Sequence, residues 1–398
     1  MLDIKTYLLE EFQKTFKTNQ NQIFFYFAPG RINLIGEHTD YTGGLVCPAG
    51  IECGTYIIAQ KNDSTKINIG SLNFDGKIES FDTKEELRKE QKWTDYIKGI
   101  LFELNKKFGK LETGFNALIY GNIPNGAGLS SSASIEMASQ IVFFDMNNFD
   151  IPKPGSREMV EATLLAQRCE NNFVGVNCGI MDQFAIGNAK KDYGIKLDCF
   201  NLEFSYCKIE LNDYCILVSN TNKKRKLEDS QYNTRRKECE DGFKILQKEG
   251  IQKEVLGRVT IDEWNNLKHR FNDIPIIQKR LNHTITENLR VKEAFLSLEK
   301  NDIKRFACLL NESGDSLKND FEVTGLHLDS LVESARTTDG VIASRMMGGG
   351  FGGCTISIAK KEHIQLITKE IEVKYFAKTQ IKPDFYVFTL SDGAKKLS

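Results

Sequence analysis

With 398 residues, 40% hydrophobic and 27% charged, the chain has the composition of a globular protein and enough length for two domains with separate cores. A formal charge of −1 gives no electrostatic reason to expect a nucleic acid or an anionic membrane as partner. No apolar run approaches the roughly 20 residues that span a bilayer, and the ten cysteines contain no Cys-x-x-Cys pair that would suggest zinc or a redox dithiol.

Asp3, Glu10 and Glu11 interrupt the first 16 residues, which therefore do not read as a secretory signal. Ile4, Tyr7, Leu8, Phe12 and Phe16 share one face of a helix that Asp3 can cap. A cytoplasmic enzyme is the simplest class. Ile23 to Phe27 reads as a strand entering the core. Pro29 and Gly30 then turn the chain into a second apolar segment that ends in Glu37, His38, Thr39 and Asp40. Two carboxylates, an imidazole and a hydroxyl within four residues suit a ligand covered in hydroxyl groups, such as a sugar. A polar turn with an N-cap uses the same residue types.

Phe115 to Tyr120 is strand-like, and Gly121 to Ser134 follows as a run of small residues. Ile135, Met137, Ala138, Ile141 and Val142 then continue at helical spacing. A strand, a glycine-rich turn and a helix start bring bare N–H groups and a positive dipole end close to an anion. Ser130, Ser131 and Ser132 add hydroxyls for phosphate and for a metal ion. The segment lacks the lysine of a Walker A loop, and serine stands where a dinucleotide fingerprint needs its third glycine. A small-residue helix packed on a sheet is the structural alternative.

A helix starts near Ser156 and runs through Met159, Leu164, Leu165 and Cys169 towards Phe173, with Gly175 placed to end it. Glu170 falls near its end, and Asp182 follows Gly179, Ile180 and Met181. A nucleotide kinase needs one carboxylate to help hold Mg2+ and commonly another to orient or deprotonate the attacking hydroxyl. Solvated salt-bridge partners would look the same. Asn220 to about Leu310, rich in Lys, Glu, Arg and Asn, reads as surface helices of a second domain. Within it Lys223-Lys224-Arg225-Lys226 reads as a solvated face. A boundary between 190 and 200 divides the chain into 1–195 and 196–398. Gly348 to Gly353 contains a literal Gly-x-Gly-x-x-Gly, but Thr355 to Ala359 alternates like a strand where a dinucleotide fold would start a helix. The glycines permit close backbone approach to a ligand or form a hairpin.

Pro124 to Ala133, together with the late glycine cluster, resembles the GHMP small-molecule kinase superfamily. Gly30 to Tyr41 and Cys178-Gly179-Ile180-Met181-Asp182-Gln183 narrow the resemblance to its galactokinases. Trp93 to Gly99, Tyr232 with Arg235 and Arg236, and Glu287-Asn288-Leu289-Arg290-Val291 extend it over nearly the whole chain. The resemblance implies an α+β fold of two GHMP kinase domains with the active site in the cleft between them. It implies transfer of phosphate from ATP, with Mg2+, to the C1 hydroxyl of galactose. Glu37, His38, Thr39, Asp40, Gly179 and Tyr232 would contact the sugar, Asp182 would be the base, and Arg31 would stabilise its carboxylate and the transferring charge. Gly126, Ala127, Gly128, Leu129, Ser130, Ser131 and Ser132 would wrap the ATP phosphates, Ser71 would contact the nucleotide, and Ser132 and Glu170 would hold Mg2+. No nucleic acid, membrane or obligate protein partner is implied.

Kinases for N-acetylgalactosamine or arabinose and a non-catalytic galactose and ATP sensor are the alternatives. Sensors of this kind tend to carry damage in the phosphate loop, which is intact here from Gly126 to Ser134. Four positions depart from the family pattern: Thr42 stands for asparagine, Met347 for threonine and Gly314 for histidine, and Cys47 interrupts a Val-Leu/Phe-Pro run. None removes a proposed catalytic group, and Thr42 could alter the sugar-loop geometry.

Overall fold

The computed structural model describes residues 4–17, 22–74, 76–223 and 228–397, with side chains except at 228–230. Asp3 and Lys224 to Lys226 lie outside the described residues. A six-stranded sheet has the order Lys395–Lys396, Phe24–Asn33, Pro48–Lys61, Phe115–Gly121, Lys66–Ser71, Glu79–Asp82. All neighbours are antiparallel except Lys66–Ser71 beside Phe115–Gly121. Both faces are covered, because successive strand residues point to opposite sides. Ile57 joins the cluster formed with Ile97, Met137, Ile141 and Leu165 of three helices. Ile58 faces Leu8 and Phe12 of the Ile4–Phe16 helix on the other side.

The strand expected at Ile23 to Phe27 runs on to Asn33, and Pro29-Gly30 forms a bulge where a turn was expected. The register shifts between them, with Pro29 opposite Gly54 and Gly30 opposite Ile51. Proline has no ladder donor to lose at such a bulge. The carbonyl of Leu129 comes so near that a Cβ on Gly30 would lie 2.9 Å from it, and it accepts from Arg31 N at 3.1 Å. Approach of the glycine-rich loop that carries Leu129 decides the conformation.

A four-stranded antiparallel sheet, in the order Val341–Met347, Cys354–Lys360, Tyr214–Asn220, Asp384–Val387, carries the other half. Leu45–Val46 pairs with Tyr193–Asp198, which pairs with Phe204–Lys208 in a small third sheet. One apolar cluster joins Ile32, Leu34 and Ile35 to Val291, Phe295, Leu310 and Ile356. The loop after Asn33 therefore sits on the junction of the two halves.

The helices between 220 and 310 are not all surface helices. Pro275–Glu299 buries Arg280, His283, Glu287 and Asn288. Its polar residues imitate a solvated face because each buried charge has a partner: Arg280 meets Glu238 at 2.7 Å and Glu322 at 2.8 Å, and Glu287 meets Arg290 at 2.6 Å. Among the described residues no helix is long and apolar enough to cross a membrane.

Candidate active site

Beyond Asn33 the backbone is left-handed at Gly36 (φ 104°) and at His38 (φ 62°). A side-chain-bearing residue adopts that conformation at a cost of about 1–2 kcal/mol, so the loop needs external support. Pro275–Glu299 supplies it. Glu287 Oε1 accepts from Gly36 N at 3.1 Å, the Glu37 carbonyl lies 3.1 Å from His283 Nε2, and Asn288 Oδ1 accepts from Leu45 N at 2.7 Å. The Thr39 hydroxyl lies 2.8 Å from the Gly36 carbonyl and 2.7 Å from that of Leu45, fully buried inside the loop.

A cavity of about 290 Å3 opens beside this loop. Glu37, His38, Asp40, Gly179 and Tyr232 line it with Arg31, Glu170 and Asp182, and Gly348 to Phe351 close it from the second half. Thr39 does not reach it. Glu37 pairs with Arg345 at 2.6 Å, and its Oε1 accepts from Gly348 N at 3.3 Å. The His38 ring stands 5.6 Å from Tyr232 and 4.8 Å from Phe321. Burial, then the nearby His283, depresses the His38 imidazole to about 3, so it is neutral. Burial, then the charge of Asp182, pushes the Asp40 carboxyl up to about 6.

Asp182 lies in the first turn of Met181–Asn188. Its Oδ1 accepts from Arg31 Nε at 2.8 Å and its Oδ2 from Arg31 Nη2 at 2.9 Å and from the Ser130 hydroxyl. Arg31 Nη1 donates to the Gly128 carbonyl at 2.7 Å. One guanidinium thus joins the acid to the glycine-rich loop.

That loop connects the strand Phe115–Gly121 to the helix Ser131–Met146. Ala127 and Leu129 turn their side chains into the core, while Gly126 and Ser131 are exposed. Ser130 is left-handed (φ 60°, ψ 53°), and its hydroxyl goes to Asp182 instead of capping the helix. The first-turn N–H groups keep no side-chain cap, which suits an anion. Ser71 lies apart from this cavity. It opens on a cleft with Phe74, Lys77, Glu79 and Trp93, next to the loop's start, where Asn73 bonds Gly121 twice at 2.7 Å.

Glu170 belongs to Cys169–Val174, a wider turn continuing the Ser156-capped helix Arg157–Arg168 and ended by left-handed Gly175. Its carboxyl accepts from Gln183 Nε2 at 2.6 Å, and the neighbouring Ser132 hydroxyl favours its charged form. Burial, then the Asp182 charge, raises its proton affinity. Among the described residues no group of three His, Cys, Asp or Glu side chains is placed to hold a metal ion, but a hydroxyl and a carboxylate are hard oxygen donors. Such a pair fits Mg2+, which typically keeps one or two protein oxygens and takes the rest from water and phosphate.

Four contributors had no assigned role from sequence: Arg345, Glu287, His283 and Gln183. For Arg345 the local signal was a lone charge in the apolar strand Val341–Met347. The departures prove mild. The Thr42 hydroxyl donates to the Thr39 carbonyl at 2.7 Å, and Cys47 and Met347 pack in the core. Bare Gly314 lets Arg336 and Arg345 approach to where a Cβ would lie 2.7–2.8 Å from them.

Three family models match the chain: the galactokinase galactose-binding signature over residues 10–61, the GHMP kinases N terminal domain over 95–189 and the GHMP kinases C terminal over 293–377. The galactokinase of Clostridium acetobutylicum is 47% identical over 402 residues, covering 100% of both chains. That of Fusobacterium nucleatum is 42% identical, covering 98% of this chain and 99% of its own. Among solved structures, Lactococcus lactis galactokinase complexed with galactose has a TM-score of 0.93 at 37% identity, covering 99% of this chain and 100% of that one. Methanococcus jannaschii mevalonate kinase shares the fold alone, with a TM-score of 0.64 at 17% identity over 94% of this chain and 100% of its own.

Proposed function

The chain belongs to the galactokinase family, and we propose on that premise that Asp182 deprotonates the C1 hydroxyl of galactose as ATP phosphorylates it. The activity is ATP-dependent phosphorylation of galactose. One observation carries the finer reading: Arg31 holds Asp182 with two nitrogens and the phosphate-loop carbonyl of Gly128 with the third. The acid facing the sugar cavity and the loop facing the phosphates are thereby fixed to each other, and phosphoryl transfer needs such positioning more than covalent help.

In this reading Glu37, His38, Asp40, Gly179 and Tyr232 hold the sugar, and Thr39 acts by closing the loop that presents them. Oδ2 of Asp182 already accepts from Arg31 Nη2 and Ser130, whereas Oδ1 accepts from Arg31 Nε alone. Oδ1 therefore keeps the lone pair for the proton. The C1 oxygen forms its bond to the γ-phosphorus as the bond to the β-bridging oxygen breaks, and ADP leaves. Arg31 offsets the charge on the transferring group. Backbone and hydroxyl donors from Gly126 to Ser132 bind the phosphates, and the cleft by Ser71 takes the rest of the nucleotide. Ser132 and Glu170 would hold Mg2+, which when bound supplies charge neutralisation.

The division into 1–195 and 196–398, a cytoplasmic setting supported by cysteines that form no disulfide among the described residues, and action without an obligate protein partner belong to the same reading. A crystal structure with galactose and a non-hydrolysable ATP analogue tests it. The C1 oxygen is expected within about 3 Å of Asp182 Oδ1, and a sugar bound with C1 turned away would remove Asp182 as the base.

A further inference from the structure

Val341–Met347 carries a single charged side chain, Arg345, with no exposed surface. Its guanidinium makes five contacts of 2.5–3.2 Å. Nε and Nη2 donate to the Leu34 carbonyl, and Nη2 donates also to that of Asn33. Nη1 donates to the Met346 carbonyl and pairs with Glu37 Oε2 at 2.6 Å. Asn33 and Leu34 lie where the strand gives way to the sugar loop, so the fork grips both the root of that loop and its first acid. Lysine, with three donors on one point, cannot reproduce this pattern.

Glu37 is 1% exposed, and a carboxylate that deep stays charged only with a partner. Burial favours its protonated form, Arg345 opposes that, and Glu287 reinforces it. His38 and His283, the other titratable neighbours, are held neutral by their own burial.

We propose that Arg345 is a positioning residue for the sugar, fixing Glu37 in one orientation as an acceptor whose remaining lone pairs face the cavity. This role rests on Glu37 being a sugar contact. Arg345 comes from the second half and Glu37 from the first, so the pair also sets the width of the sugar end of the cleft.

The test uses the full-length enzyme, galactose and a set of monodeoxygalactoses, with ATP KM and thermal melting as controls. Glu37→Gln identifies the hydroxyl that Glu37 holds, because the galactose lacking it loses little further. Arg345→Lys is expected to raise galactose KM about 10–100-fold, the scale of a charge-assisted hydrogen bond, with kcat and ATP KM little changed. The penalty falls on the same hydroxyl. If Glu37→Gln shows no hydroxyl-specific loss, the reading of Glu37 fails and the role of Arg345 falls with it. If Glu37→Gln shows one and folded Arg345→Lys does not, Arg345 is structural only and the proposal is overturned.

Should Arg345→Lys not fold, Glu37→Leu with Arg345→Met removes both charges, an exchange that buried pairs often tolerate. Galactose KM equal to that of Glu37→Leu alone supports action through Glu37, and a further loss overturns it.

Discussion

Gly179 and Asp40 exclude any atom between them: a Cβ on Gly179 would stand 1.8 Å from Asp40 Oδ2. Asp40 belongs to the loop after Asn33 and Gly179 to the turn before Asp182, so the contact ties the proposed sugar acceptor to the element bearing the proposed base. Gly179 is not left-handed, and the restriction is purely steric. Gly179→Ala is expected to push the Asp40 carboxylate off its position and lower kcat/KM for galactose about 10²-fold, the scale for a 1 Å misplacement. ATP KM at saturating galactose is expected to hold. An equal rise in both KM values would show a general disturbance instead.

Asp182→Asn tests the base itself. The amide keeps the volume and one acceptor, but it cannot take a proton at neutral pH. Galactose and ATP are expected to bind, by calorimetry, while turnover drops by at least the 10²–10⁴-fold typical of general-base loss. A kcat near the parent's would remove the assignment.

The segments that meet at the candidate site were legible where they form contiguous runs of unusual composition: Glu37 to Asp40, Gly126 to Ser132, Gly348 to Gly353. Each run meets the cavity or the loop beside it because a short segment can be specialised without disturbing the core. Pro29-Gly30 was read as a turn since bulges and turns use the same residues, and only Leu129, distant in sequence, decides between them. Glu287 fell among helices read as surface ones, and Arg345 was given no role, because their partners, Gly36 N and Glu37, lie in the other half of the chain. Three consecutive serines look alike in sequence. The left-handed backbone of Ser130 sends its hydroxyl to Asp182, and Ser132 reaches Glu170.

Asp40 as a proposed sugar acceptor is expected to make binding and stability respond to pH in opposite directions. An acid raised from 3.8 to about 6 binds more protons in the native state than in the unfolded one across that window. Stability therefore falls as pH rises through it. A sugar hydroxyl needs the carboxylate as acceptor, so galactose KM is expected to rise roughly tenfold per pH unit below about 6. Asp40→Asn is expected to weaken galactose binding at neutral pH and to flatten both profiles. Melting temperature and galactose KM from about pH 5 to about pH 8 read the two effects separately. A parent KM flat below pH 6 would contradict the role of Asp40.

Ser134 follows the serine run but serves the fold. It is fully buried, with its hydroxyl 2.9 Å from the Ala28 carbonyl and 2.8 Å from Thr55 Oγ1, and it accepts from Thr55 N at 3.1 Å. Ser134→Ala strips partners from buried backbone groups and is expected to destabilise by about 1–3 kcal/mol. The urea midpoint should fall with the m-value unchanged, and kcat should persist at low temperature. A loss of kcat without loss of stability would place Ser134 in the phosphate site instead.

Glu170→Gln separates a metal ligand from a structural acid. Burial and the neighbouring Asp182 both disfavour the Glu170 charge, so the metal-free variant is expected to be at least as stable as the parent. Its Mg2+ requirement should move the other way. Chelation is expected to abolish turnover in the parent and Mg2+ to restore it, while Glu170→Gln needs at least about tenfold more Mg2+ for half-maximal rate. Calorimetric titration of Mg2+ into the enzyme with ATP should show the same weakening without relying on turnover. Lower stability with an unchanged Mg2+ requirement would assign Glu170 to packing, with Gln183 as its partner and no metal role.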